Sequence, residues 1–236
     1  MRKILIEKAT SRWTALLAIP LLAILVSTMR LPLPGKKFTY LALGDSYTIG
    51  EKVSAEENFP NQVVSLLREK NIPFESPRII ARTGWTTDEL AQAIRKAPLD
   101  KQYDIVSLLV GVNNQYRGRT VQDYAIQFES LLKQALLFSG NRPKRVVVIS
   151  IPDWSATPFA EGSDRKKISS EIDAFNNVNK EIAEKYSVHY IDITGGTRLA
   201  KNDLSLLTTD ELHPSAREYN KWAKAIAGTV SNEKWE

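Results

Sequence analysis

From Phe38 onward, short apolar runs alternate with segments whose apolar positions recur every three or four residues. The runs Phe38–Leu43, Arg78–Ala81, Asp104–Val110, Arg145–Ile151 and Val188–Ile193 predict five strands. Val146 to Ile149 is β-branched throughout, and Asp104–Val110 has the continuous character of a strand covered on both faces. Between the runs the spacing is helical. Val63, Leu66 and Leu67 mark a helix over 59–70, and Leu90, Ala91 and Ile94 one over 87–96. The stripe Tyr124, Phe128, Leu131, Leu132 and Ala135 predicts a long helix over 121–138. Ile172, Phe175, Val178 and Ile182 do the same for 168–186, and Ala216, Tyr219, Ala223, Ile226 and Val230 for 215–230. Five strands alternating with helices predict an α/β fold with a parallel sheet and helices on both faces. With no internal repeat and no low-complexity tract, one domain over residues 36–232 accounts for this pattern.

Residues 1–35 follow a different pattern. Arg2, Lys3, Lys8 and Arg12 precede Trp13–Met29, an uncharged, mostly apolar stretch of 17 residues. That length is long for a signal-peptide core and at the lower limit for a spanning helix. Val26-Ser27-Thr28 is a poor cleavage site, and Arg30, Pro32, Pro34 and Gly35 end the stretch. A buried core helix is the plainer alternative, but the basic flank and the N-terminal position favour export. The expectation is a signal peptide or, slightly preferred, an uncleaved membrane anchor. It would place the domain on the periplasmic or exterior side, or release it after cleavage.

Charge refines this picture. The formal net charge is +5, but five basic residues against the single acid Glu7 lie within residues 1–35. Only +1 remains for the domain, so nucleic-acid binding gains little support. The chain has no cysteine, which removes disulfides and thiolate chemistry. It has two histidines, so a histidine within a reactive constellation carries weight.

Four short segments supply such a constellation. Gly44-Asp45-Ser46-Tyr47 follows the first predicted strand, where open α/β sheets place their ligands. A serine there becomes a nucleophile if a base takes its proton, although Gly-Asp-Ser is also an ordinary turn sequence. Asp210-Glu211-Leu212-His213-Pro214 precedes the last helix and holds a carboxylate and an imidazole on one face. Asp210 as a helix cap, or the pair as metal ligands, are the alternatives. The metal reading is poor because there is no cysteine and the other histidine, His189, falls in a predicted strand. Gly111-Val112-Asn113-Asn114 ends the third strand, where an amide could reach the crevice, and Arg82-Thr83-Gly84-Trp85 follows the second. Each is weak alone. All four fall at one edge of one predicted sheet.

In that order and spacing, the four blocks resemble the SGNH (GDSL-type) hydrolase family, whose members include lysophospholipase-like acylesterases. The resemblance covers residues 38–230 and rests on Gly44-Asp45-Ser46, Gly84, Gly111-x-Asn113 and Asp210-x-x-His213. It implies a flavodoxin-like three-layer α/β/α sandwich and metal-independent ester hydrolysis without a cofactor. It implies Ser46 as nucleophile, His213 as base and Asp210 as its orienting acid. The N–H groups of Ser46 and Gly84 and the side chain of Asn113 would form an oxyanion hole. Asn114 stands where the family often has aspartate, and Thr48 stands where a Gly-x-Ser-x-Gly elbow would have its second glycine, which argues against an α/β-hydrolase.

The implied function is a serine esterase for small or medium acyl esters, acting through an acyl-enzyme. Its substrate would be a small-molecule, glycan or lipid ester. The alternatives are an acyltransferase or deacetylase acting on a glycan, and a catalytically silent binding module. Trp154 and Phe159, in the segment after the fourth strand, and Tyr116, after the third block, are the candidate substrate contacts. Plain loop packing is the other reading for all three.

Overall fold

The computed structural model describes Gly35 and residues 37–235. The expected export or anchor segment, residues 1–34 of the 1–35 span, lies outside the described residues. Among those described, no helix is long and apolar enough to cross a membrane.

Strand β1 (Tyr40–Gly44) leads into a single helical turn, α1 (Ser46–Ile49), and then helix α2 (Phe59–Glu69). Next come β2 (Arg78–Ala81), α3 (Thr87–Lys96) and β3 (Ile105–Leu109), followed by the short α4 (Val112–Tyr116) and the long α5 (Val121–Phe138). Strand β4 (Val146–Ile149), α6 (Arg165–Lys185), β5 (His189–Ile191), a turn of helix α7 (Thr194–Thr197) and α8 (Ala216–Ser231) complete the domain. The sheet is parallel throughout, in the order β2-β1-β3-β4-β5.

That order fixes the layers. A right-handed crossover puts its helix on a face set by the direction of travel across the sheet. The β1-to-β2 step runs one way and carries α2. The three later steps run the other way and carry α3, α5 and α6, which pack side by side. Helix α8 returns beside α2. The inner strands β1, β3 and β4 are therefore buried at every position, whereas β2 and β5 are partly exposed edges. The direction of travel reverses between β1 and β3, so a crevice opens beyond their carboxyl ends.

The periodicity places all five strands and five main helices. Its limits differ where side chains intervene. Helix α6 begins at Arg165 rather than 168, because Asp164 accepts the Lys167 N–H at 3.0 Å and starts the helix three residues early. Strand β4 stops at Ile149 rather than 151, and the next hydroxyl, that of Ser150, accepts the Ile193 N–H from beyond β5 at 2.8 Å. The turns α1 and α4, too short for any periodic signal, lie directly on the Gly-Asp-Ser and Gly-Val-Asn-Asn blocks.

Candidate active site

Gly44 ends β1 against the neighbouring strand. A Cβ there would fall 2.1 Å from Thr48 Oγ1 and 2.4 Å from the Leu109 carbonyl, so only glycine lets the chain turn at this point. Asp45 caps the turn that follows, accepting the Tyr47 N–H at 3.1 Å. Ser46 is thereby held just past the strand end, 4% exposed.

The second half of the arrangement comes from the other end of the chain. Asp210 Oδ1 accepts the N–H groups of Leu212 at 3.0 Å and His213 at 2.9 Å, and the Thr208 hydroxyl at 2.7 Å. Glu211 takes a left-handed conformation, φ +59°, to close this turn. Asp210 is thus the organiser of the turn and not the cap of α8, whose N-cap is Ser215. Its second oxygen lies 2.7 Å from His213 Nδ1, and His213 Nε2 lies 2.9 Å from Ser46 Oγ. A carboxylate only accepts, so Nδ1 carries the proton and Nε2 offers its lone pair to the serine hydroxyl. The Tyr47 ring packs on the imidazole with centroids 4.9 Å apart.

Two carboxyls near Ser46 are driven in opposite directions. Burial alone would raise Asp210, but the bonds from the His213 backbone and ring, Thr208 and Leu212 outweigh it and pull the group down to about 2. Asp45 is fully buried, and burial lifts it from 3.8 to about 7 against weaker help from Tyr47, Asn113 and Gly111. The stability that Asp45 contributes is therefore complete below 3.8 and lost as pH rises through about 7. That of Asp210 is complete above 3.8 and lost as pH falls toward about 2. Carboxyl-carbon NMR titration should give midpoints near those two values. An Asp45 midpoint near 4 would show that water reaches the group and would remove this account.

The oxyanion candidates lie on two loops that are tied together. Asn113 Nδ2 donates to the Trp85 carbonyl at 3.1 Å and, more weakly, to Asp45 Oδ2 at 3.5 Å. Arg117 Nη2 donates to the Gly84 carbonyl at 2.6 Å, holding Gly84 at φ +82°. Asn114, the departure from the family pattern, is buried and bonds Thr87 twice. Its oxygen accepts the Thr87 N–H at 3.1 Å, and its amide donates to the Thr87 hydroxyl at 2.7 Å. An aspartate has no such donor, so the amide has a defined job in joining α4 to the start of α3. Among the described residues, the N–H groups of Ser46 and Gly84 have no acceptor.

These groups surround a cleft of about 170 Å³ lined by Ser46, Gly84, Asn113 and His213, with Asp210 behind the histidine. All three candidate substrate contacts line it as well. Trp154 is only 7% exposed and donates its Nε1–H to Gln115 at 2.7 Å, while Tyr116 is 58% and Phe159 48% exposed. Their ring centroids lie 5.4–6.3 Å apart, forming an aromatic rim. Four further lining residues, Tyr47, Thr83, Val112 and Leu212, lie within the four sequence blocks but had no role of their own there. Each adjoins a candidate residue in the chain, Ser46, Gly84, Asn113 or His213, which was the available signal. Among the described residues, no group of three or more His, Cys, Asp or Glu is placed to hold a metal ion.

The chain's relationships agree with this geometry. The model of the GDSL-like Lipase/Acylhydrolase family matches residues 42–221. No curated protein sequence matches the chain. Several solved structures share its fold. Axe2, an acetylxylan esterase from Geobacillus stearothermophilus, superposes with a TM-score of 0.64 at 19% identity, covering 84% of this chain and 96% of that one. A lipase/acylhydrolase from Enterococcus faecalis gives a TM-score of 0.65 at 18% identity, covering 83% and 96%. LAE5, an α/β hydrolase enzyme from the metagenome of Lake Arreo, Spain, gives 0.61 at 16%, covering 82% and 95%.

Proposed function

Since the chain belongs to the GDSL-like Lipase/Acylhydrolase family, we propose that it is a serine esterase of short acyl esters in which Ser46, His213 and Asp210 act as one unit. The 2.9 Å approach of His213 Nε2 to Ser46 Oγ, across 167 positions of sequence, is the observation that carries the reading. In the reaction proposed, Ser46 Oγ attacks the ester carbonyl as its proton passes to Nε2. The imidazolium is stabilised by Asp210, which stays ionised because its hydrogen bonds hold it near 2. The negative oxygen of the tetrahedral intermediate accepts from the free N–H groups of Ser46 and Gly84 and from Asn113, whose long bond to Asp45 is the easier one to exchange. His213 then protonates the departing alcohol, leaving an acyl-enzyme. A water molecule activated by the same nitrogen releases the acid.

Cleft size supports short acyl groups. The cleft beside Ser46 is small, about 170 Å³, which suits a short acyl chain better than a long one. The exposed rings of Tyr116 and Phe159 at the mouth suit the flat apolar face of a sugar or aryl alcohol. The acetylxylan esterase among the similar structures makes an acetylated sugar the first natural ester to try.

A panel of 4-nitrophenyl esters of rising chain length, run beside acetylated sugars, tests the reading. The specificity constant kcat/KM should peak at acetyl to butyryl and fall by about tenfold or more by octanoyl, since each methylene beyond the cleft forfeits its burial. Equal or rising rates at octanoyl would refute the short-chain assignment.

A further inference from the structure

A second, more open groove of about 660 Å³ lies next to the cleft and shares a wall with it. Trp154 and Phe159 line the cleft, and Ser155 to Pro158 line the groove. The groove is basic. Arg165, Lys166, Arg198 and Lys201 line it, against Glu161 and the buried Asp153. Asp153 and Arg198 pair with each other at 2.8 Å, so the excess positive charge over Glu161 comes from Arg165, Lys166 and Lys201. Arg198 Nη2 is turned to Ser169 and Asp173, which leaves Nη1 without a partner among the described residues. Arg165 uses Nη1 on the carbonyls of Ser155 and Thr157, and its other donors are likewise unused. Lys166 and Lys201 are exposed, with no carboxylate at ion-pair distance among the described residues.

A second observation is independent of the groove's shape. Residues 165–167 place three cations, Arg165, Lys166 and Lys167, in the first turn of the 21-residue helix α6, which has no acidic residue in that turn. The amino end of a long helix is its positive end, so cations there are disfavoured. Lys167 finds Glu171 at 3.9 Å, but Lys166 finds nothing comparable. The Asp164 carboxylate at the N-cap meets part of that positive end, accepting the Lys167 N–H at 3.0 Å, yet Arg165 and Lys166 still add cations there with no carboxylate at ion-pair distance among the described residues.

We propose that this groove is a subsite for a carboxylate or phosphate group on the alcohol part of the ester, so that the preferred substrate is anionic. The inference rests on the esterase reading. The small cleft takes the acyl group, and what lies beyond the wall segment 154–159 is the rest of the molecule. Arg165 and Arg198 brace the wall and present planar donors, while Lys166 and Lys201 add charge without a structural task.

The test compares matched esters that differ in charge: acetylated glucuronic acid against acetylated glucose, and acetylglycerol phosphate against acetylglycerol. The native enzyme should favour the anionic member of at least one pair by about tenfold in kcat/KM, the size expected of two partly exposed ion pairs. Whichever pair shows it identifies the group as carboxylate or phosphate. Added salt should erode the preference and leave the neutral ester unchanged. The double variant Lys166→Glu, Lys201→Glu should abolish the preference while 4-nitrophenyl acetate is hydrolysed at the native rate. Equal rates within both pairs in the native enzyme, or a preference indifferent to both salt and the double variant, would overturn the subsite. Failure of the native enzyme on 4-nitrophenyl acetate would instead overturn the esterase reading beneath it.

Discussion

The Ser46→Ala variant is expected to hydrolyse 4-nitrophenyl acetate at least about 10³-fold more slowly than the native enzyme, with His213→Ala close behind. The double variant should be scarcely slower than either single one. A serine without its base is a neutral alcohol, and a base without its serine has no proton to take, so each loss empties the same step. Ser46 and His213 are nearly buried and meet at 2.9 Å, so water has little room to replace either group. Steady-state kinetics on purified variants of matched thermal stability make the measurement. Near-native turnover by Ser46→Ala would remove the proposed nucleophile, and additive losses in the double variant would mean that the two residues work separately.

For Asn113→Ala the expected loss is about 10²–10³-fold in turnover number with little change in KM. The amide would meet an oxygen that carries full charge only in the tetrahedral intermediate, so its contribution appears after substrate is bound. Asn113 also holds the Trp85 carbonyl at 3.1 Å, which adds a structural component. That component is separable, because Arg117 still anchors Gly84 and Asn114 still anchors Thr87. A loosened loop would show as a lower melting temperature, whereas a missing donor would not. A change confined to KM would move Asn113 from the oxyanion to substrate positioning.

The reading of the chain succeeded where information is local. Strands show as short continuous apolar runs and helices through a side-chain period of 3.6, and both survive in the sequence regardless of what packs against them. So Arg78–Ala81, Thr87–Lys96 and Val121–Phe138 appear in the structure with the predicted limits. The Gly-Asp-Ser and Asp-x-x-His blocks were legible because both turns are built from their own residues: Asp45 caps Tyr47, and Asp210 binds Leu212 and His213. Asn114 could be seen as a departure, but its bonds to Thr87, 27 positions away, could not.

What the sequence determined by itself, then, was the order of elements, the single parallel sheet and the identity of the residues at its carboxyl edge. Only the tertiary structure decided that Ser46 and His213 meet, that Gly84 is held by Arg117 from another loop, and that a small cleft opens beside them. It also decided that Arg165, Lys166, Arg198 and Lys201, drawn from two separate segments, line one groove. The reason is geometric. Local patterns fix which face of an element is apolar, but distances across the crevice follow from how α8 packs beside α2 and how the order of strand addition reverses between β1 and β3.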